Sequence, residues 1–178
     1  WVWSPLVVAA HTGTLTWGDL WAQQNSHRTV VPTLIALGLA ALDGWDTRIE
    51  GLASVVLAAL VAPALLVLIV RRFGSERGRW PFWIASLLVY SLVQSENFIW
   101  GFQLSWFVVD ACVLGLVLAL TGLPDGARGY ARFAAALLCA VAASLSMIFG
   151  FAAWIVGFVM LLQARVRRRA VLLVLWTA

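Results

Sequence analysis

Apolar positions in this chain come in long unbroken runs rather than in narrow stripes. From Gly51 to Val70 there are 20 residues without a charge. At about 1.5 Å per residue, a helix of that length covers the roughly 30 Å hydrocarbon core of a bilayer. Pro63 lies inside the run and predicts a kink, which a membrane helix tolerates when its neighbours satisfy the freed carbonyl. Further apolar runs cover Trp80–Ser95, Leu104–Leu123 with Asp110 as its one charge, and 133–163. The last run, as a single helix, would be about 46 Å long. Folded into two short helices joined near Ser144–Gly150, it returns to the side from which it started. The hairpin is expected.

Val30–Leu42 is apolar but too short to span, and Asp43, Asp46, Arg48 and Glu50 follow it directly. This stretch predicts an amphipathic helix lying in the outer interface, preceded by an outer-side loop over Trp1–Thr29. The expected fold is all-α: a polytopic transmembrane helical bundle over residues 50–178, with the outer-side loop and interfacial helix over residues 1–49.

Charge orients this bundle. All 12 basic residues are arginine, and ten of them fall in three clusters: Arg71, Arg72, Arg77 and Arg79; Arg128 and Arg132; Arg165, Arg167, Arg168 and Arg169. Basic loops stay on the cytoplasmic side. The stretches Phe73–Arg79 and Pro124–Gly129 are therefore expected as cytoplasmic loops, with Trp80 and Trp83 at the interface beyond the first. The chain is only 11% charged, with a mean hydropathy of +0.94, far from the roughly 25% charged of a soluble domain. The net charge of +4 thus needs no nucleic-acid partner, because the arginines serve topology and the partner is the lipid bilayer. Cys112 and Cys139 both lie in apolar runs and read as small buried hydrophobes. The chain opens at Trp1 and closes in an apolar segment too short to span, so it is expected to be a piece of a longer protein.

On this topology three polar patches share the outer face: 23–28, Gln94–Gln103 and Ser144–Gly150. Polar groups crowded at one end of a helical bundle form a candidate binding site. Glu96 reads either as a solvated loop residue or as a contact to substrate or metal. Asp110 reads either as part of a structural network with Arg28, Arg48 or backbone, or as an intramembrane functional acid. His27 beside Asn25 reads as a hydrogen-bonded loop residue or as a base. Arg28 stands outside against the positive-inside bias, and a planar guanidinium suits a phosphate. The two histidines, without spaced cysteines or an acid cluster, make a weak zinc case. Trp17, Trp21, Trp100 and Trp106 fit an aromatic belt or a sugar-stacking surface.

The three patches, in this order, resemble a bacterial family of polytopic membrane proteins with a GT-C-like glycosyltransferase layout. The first block of that family reads Leu-Trp-Ala-Gln-His-Asn-Glu-His-Arg, followed by Gly-Trp-Asp and Arg. Here it stands as Leu20-Trp-Ala-Gln-Gln-Asn-Ser-His-Arg28, then Gly44-Trp-Asp46 and Arg48. Gln24 and Ser26 replace the family's first His and its Glu. The second block, Gln-Trp-Glu-Asn-Phe-Leu-Trp-Gly-Phe-Gln, stands here as Gln94–Gln103 with Ser95 for Trp. The third, Ser-Xaa-Ala-Asn-Gly, is degraded to Ser146-Met-Ile-Phe-Gly150.

The resemblance implies a multi-pass protein of the bacterial cytoplasmic (inner) membrane. It implies inverting transfer from a polyprenyl-phosphate-linked sugar donor, with a divalent metal compatible with the layout. The main catalytic acid of such enzymes follows the first transmembrane helix and is expected upstream of Trp1. Asn25, His27, Arg28, Glu96, Asn97, Trp100 and Gln103 are the expected substrate-binding residues, with Arg28 on the phosphate. The alternative reading is a non-enzymatic membrane protein, a transporter subunit or scaffold, which short or broken helices and Asp110 also fit.

Overall fold

The computed structural model describes residues 3–24, 27–91 and 95–178, with the Asn97 side chain outside the described set. Nine helices follow in chain order among these residues: α1 (Ser4–His11), α2 (Trp17–Trp21), α3 (Val30–Asp43), α4 (Thr47–Val89), α5 (Ser95–Ile99), α6 (Leu104–Leu120), α7 (Ala127–Ser144), α8 (Ala152–Gln163) and α9 (Arg169–Thr177). Short 3-10 turns at Gly101–Gln103 and Ile148–Phe151 lead into α6 and α8. No strand occurs among the described residues.

Among the described residues, two helices are long and apolar enough to cross a membrane: α4, and α6 with its preceding turn. Only 22% and 39% of their most apolar windows are buried within the chain, so neither is the enclosed core helix of a soluble domain. Leu52, Leu60, Leu87, Leu138 and Ile155 are each more than half exposed. Apolar surface of that extent needs lipid or another chain to cover it.

The expected seven-residue loop over Phe73–Arg79 is tighter than the sequence reading gave it. Helical geometry runs through α4 except at Gly74 (φ 77°, ψ 167°), a region that only glycine occupies without strain. The two arms then run antiparallel. The Tyr90 hydroxyl donates to the Ala58 carbonyl at 3.0 Å, and a Cβ at Gly78 would lie 3.0 Å from Ile69 Cγ2. A single glycine therefore reverses the chain, and the adjacent arginines stay on helical turns.

The run 133–163 is divided as expected. Helix α7 stops at Ser144, and α8 starts at Ala152. The α7 face buries Ala136, Ala140 and Ala143, small residues at helical spacing that let the backbones approach closely. Ser144 Oγ accepts from Trp154 Nε1 at 2.8 Å, and the Trp154 carbonyl accepts from Trp176 Nε1 at 3.0 Å. This chain of indoles ties α7, α8 and α9 into one core with Leu116, Phe133 and Leu161. Cys112 and Cys139 are free thiols packed beside that core.

The N-terminal stretch holds two helices, α1 and α2, where a loop was expected. Trp3, just before α1, and Val7 within it bury against Ala36 and Ala40 of α3. Helix α3 thereby gains a protein partner on one side, and Thr33 is buried on it as well.

These contacts set the ends of the molecule. Glu50 lies beside Gly101, and Ala58 and Val61 line one cavity with Phe107 and Asp110, so the first arm of α4 runs parallel to α6. The Gly74 turn, the 121–126 turn and the 164–168 connection all fall at one end, with all three arginine clusters. The opposite end holds the described residues of the three polar patches.

Candidate functional site

At the polar end, among the described residues, the first patch meets the bend between α7 and α8, while the second block lies on the start of α4. Gln24 and His27 exchange two backbone hydrogen bonds, at 2.8 and 3.0 Å, and close a tight loop. His27 Nδ1 then accepts the backbone N–H of Ile148 at 3.3 Å. Four residues further on, the Val31 N–H donates to the Leu145 carbonyl at 3.1 Å. The first block thus docks on the bend between α7 and α8. The bend docks in turn on α6, where the rings of Phe149 and Trp106 stack with centroids 5.2 Å apart.

The second block is bedded on the start of α4. Asp43 Oδ1 accepts the backbone N–H groups of Trp45 and Asp46 at 2.7 and 3.2 Å. This holds Trp45 at φ 71°, the one described non-glycine residue in that region, where a bulky side chain sits only under local constraint. The strained turn aims the indole so that Trp45 Nε1 donates to Glu50 Oε1 at 3.1 Å. Glu50 is 2% exposed, and its other oxygen, Oε2, is buried without a hydrogen-bond partner. A Cβ on Gly101 would run into that carboxylate, so any larger residue there requires the Glu50 side chain to shift. The ring of Phe102 meets Trp3 at 6.1 Å and Trp100 at 6.5 Å.

Each expected site residue has a distinct place. Asn25 and the Asn97 side chain lie outside the described residues. His27 is half-buried and committed to Ile148. Arg28 is exposed, with its guanidinium carbon 5.0 Å from the Trp21 ring centroid. A guanidinium lying on an aromatic face keeps its N–H donors at the edge, free to form a fork to an oxyanion. Glu96 is exposed in the first turn of α5; it and Arg28 form no ion pair with each other. Trp100 is 53% exposed. Gln103 is half-buried, and its Oε1 is enclosed without a partner.

Unpartnered buried polar atoms also occur at Trp3 Nε1, Gln24 Oε1 and Ser105 Oγ. With those of Glu50 and Gln103, they all belong to the polar end. Buried polar atoms are normally paired, so this concentration singles that end out from the rest of the molecule. Glu50, Trp3 and Ser105 were not among the expected site residues. The signal for Glu50 was a carboxylate placed directly before a 20-residue charge-free run.

Asp110 has no hydrogen-bond partner among the described residues; neither Arg28 nor Arg48 pairs with it. It lines a cavity of about 200 Å³ between the two arms of α4 and α6, with Ala58, Val61, Leu88, Val89 and Phe107. Among the described residues, no group of three His, Cys, Asp or Glu side chains is placed to hold a metal ion.

Comparison with protein-family models, with curated proteins and with solved structures finds no match to this chain. The fold and site therefore define its class directly: among the described residues, an all-helical chain with two membrane-competent helices and a polar, aromatic-rich end opposite ten of its twelve arginines.

Proposed function

We propose that this chain belongs to an integral membrane glycosyltransferase of GT-C-like layout, with its arginine end in the cytoplasm and its polar end on the outer side of a bacterial inner membrane. The polar end takes a sugar donor carried on a polyprenyl phosphate. An acid activates the acceptor hydroxyl, and a cation stabilises the departing phosphate. Arg28 makes the phosphate contact. Trp100 offers an exposed ring for a sugar face, and Glu96, Asn97 and Gln103 orient the donor.

The observation that carries this reading is Arg28 itself. It is a guanidinium at the end of the chain opposite ten other arginines, stacked on Trp21 and without an ion pair. Bidentate phosphate binding needs that free edge, and the Trp21 face limits its rotation before the ligand arrives. The docking of the first block on the bend, through His27 and Val31, holds the Arg28 backbone in place.

A second reading, a transporter subunit or scaffold, is favoured by Asp110, an unpaired acid lining a cavity partway along a membrane-competent helix. Polyprenyl-phosphate binding by the full-length protein in nanodiscs separates the two. Arg28→Ala should weaken binding by about tenfold or more, the loss of roughly 1.5–3 kcal/mol for a charged hydrogen bond. Arg28→Lys should recover only part of it, because a point charge cannot replace the fork. Glu96→Gln should alter turnover or donor affinity. Binding unchanged in all three variants would leave the transporter or scaffold reading in front.

A further inference from the structure

The arginine end contains a cavity independent of the polar end described above. This cavity, of about 520 Å³, opens between the start of α7 and the connection from α8 to α9. Asp125, Gly126, Tyr130, Arg167 and Arg168 line it, with Leu172 as an apolar wall. The six arginines of this region do not all do the same thing. Arg132 donates to the carbonyls of Leu118, Thr121 and Gly122 and so caps the C-terminus of α6. Arg169 donates to the Leu162 carbonyl near the end of α8. Those two have structural work. Arg128, Arg165 and Arg167 have no side-chain partner among the described residues.

Arg168 is held in place at the cavity wall. Its Nη1 donates to the Tyr130 hydroxyl at 2.6 Å, and its guanidinium carbon lies 5.8 Å from the Tyr130 ring centroid. The Tyr130 oxygen is then the acceptor, so its own proton remains to be donated. Arg167 is anchored through its backbone, whose N–H donates to Asp125 Oδ1 at 3.0 Å. Its side chain is free. Asp125 is the one carboxylate of the cavity, set against six arginines in the surrounding segments. Gly126 presents no side chain and has open space where one would lie, which leaves room for a ligand to reach the first turn of α7. Val166 joins Leu172 as the apolar part of the lining.

We infer that this cavity binds a phosphomonoester dianion, the chemistry shared by free inorganic phosphate and by the headgroup of phosphatidic acid. A doubly charged, compact oxyanion can take a fork from Arg168, a second cation from Arg167 and the Tyr130 proton together. A phosphodiester offers one negative charge to the same donors and binds less tightly. The apolar part of the lining accommodates acyl chains if the source is a lipid.

The test uses the full-length protein in phosphatidylcholine nanodiscs doped with either phosphatidic acid or phosphatidylserine at matched surface charge, with bound lipid counted by native mass spectrometry. Phosphatidic acid should be retained preferentially. Arg167→Ala, which disturbs no contact made in the fold, should lower that retention several-fold, and Arg167→Ala with Arg168→Ala by about tenfold or more. The control, Arg71→Ala with Arg72→Ala, removes the same charge from another cluster and should change retention less than about twofold. A parallel phosphorus-31 NMR titration with inorganic phosphate in undoped discs identifies the source. Variant-sensitive binding there supports the site with free phosphate as ligand, and its absence beside lipid retention supports the headgroup. Equal retention of the two lipids, equal losses in the control, or an Arg167→Ala protein that binds as wild type in both arms would overturn the assignment.

Discussion

The Glu50 carboxylate lies against the α-carbon of Gly101, so closely that a side chain there requires the carboxylate to shift. This joins the start of the first long apolar helix to the Trp-Gly-Phe-Gln block and fixes the floor of the polar end. Gly101→Ala should therefore force the carboxylate aside and destabilise the protein by roughly 1–3 kcal/mol. Glu50→Ala in the same chain should relieve part of that loss, so the two changes should be non-additive. Thermal unfolding of the two single variants and the double variant measures the coupling. Strict additivity would show that the two residues do not share this contact.

The α4 turn depends on one residue. Gly74→Ala places a Cβ at φ 77° and ψ 167° and should cost about 1–3 kcal/mol. Tyr90→Phe removes only the hydrogen bond to the Ala58 carbonyl and should cost about 0.5–1.5 kcal/mol. Denaturant or thermal melts that reverse this order would mean that the arms are held elsewhere.

The orientation has its own readout. Cysteine placed at position 75, beside the Gly74 turn, should be protected from a membrane-impermeant reagent added outside intact cells. Cysteine at position 17, on the 81% exposed Trp17 site of the polar end, should be labelled. The reverse pattern would invert the map and remove the outer-side donor site.

Asp19 gives a pH-dependent contribution with a definite sign. Its carboxylate accepts from the Thr16 hydroxyl at 2.7 Å and the Thr16 backbone N–H at 2.8 Å. These bonds, the hydroxyl first, hold its pKa below the usual 3.8. A group depressed in the folded state stabilises above its unfolded pKa and loses that contribution as pH falls through the lower folded value. Capping of α2 should thus persist through neutral pH and fade below 3.8. Thr16→Ala should move the Asp19 titration upward, as followed by carboxyl carbon NMR. An unmoved midpoint would exclude the capping box as its cause.

Asp110 should be the costliest residue of α6 in a bilayer. An unpaired acid near mid-span disfavours insertion by about 2.5–3.5 kcal/mol. Asp110→Asn should therefore raise the inserted fraction of that helix in a translocation assay. No change would place Asp110 in the interface or beside a partner in the assembled membrane protein.

Much of the helical layout was legible because it rests on one-dimensional signals. The charge-free length of 51–70, the arginines flanking each run and the 31-residue run too long for one helix are set by composition along the chain. Backbone polar groups in an apolar stretch have only helices to satisfy them locally, so these runs predict helices without reference to neighbours. The division of 133–163 into α7 and α8 followed from length and charge alone. The seven-residue turn was overestimated, since a helix can carry exposed arginines and needs only Gly74 to reverse.

The candidate site was legible as three patches and invisible as a geometry. Sequence placed His27 and the Ser144–Gly150 bend at the same end. Only the fold gave His27 an acceptor's role toward Ile148, 121 residues away, and stacked Arg28 on Trp21. Glu50 read as one charge among several after Val30–Leu42. Packing made it a buried carboxylate with one oxygen unpartnered, because Trp45 is turned onto it by Asp43 and Gly101 closes over it. Helix by helix, length and charge along the chain are local properties, and the sequence by itself determines them. Which polar atoms are enclosed, and which are left free, depends on the approach of segments distant in the chain, and only the tertiary structure decided that.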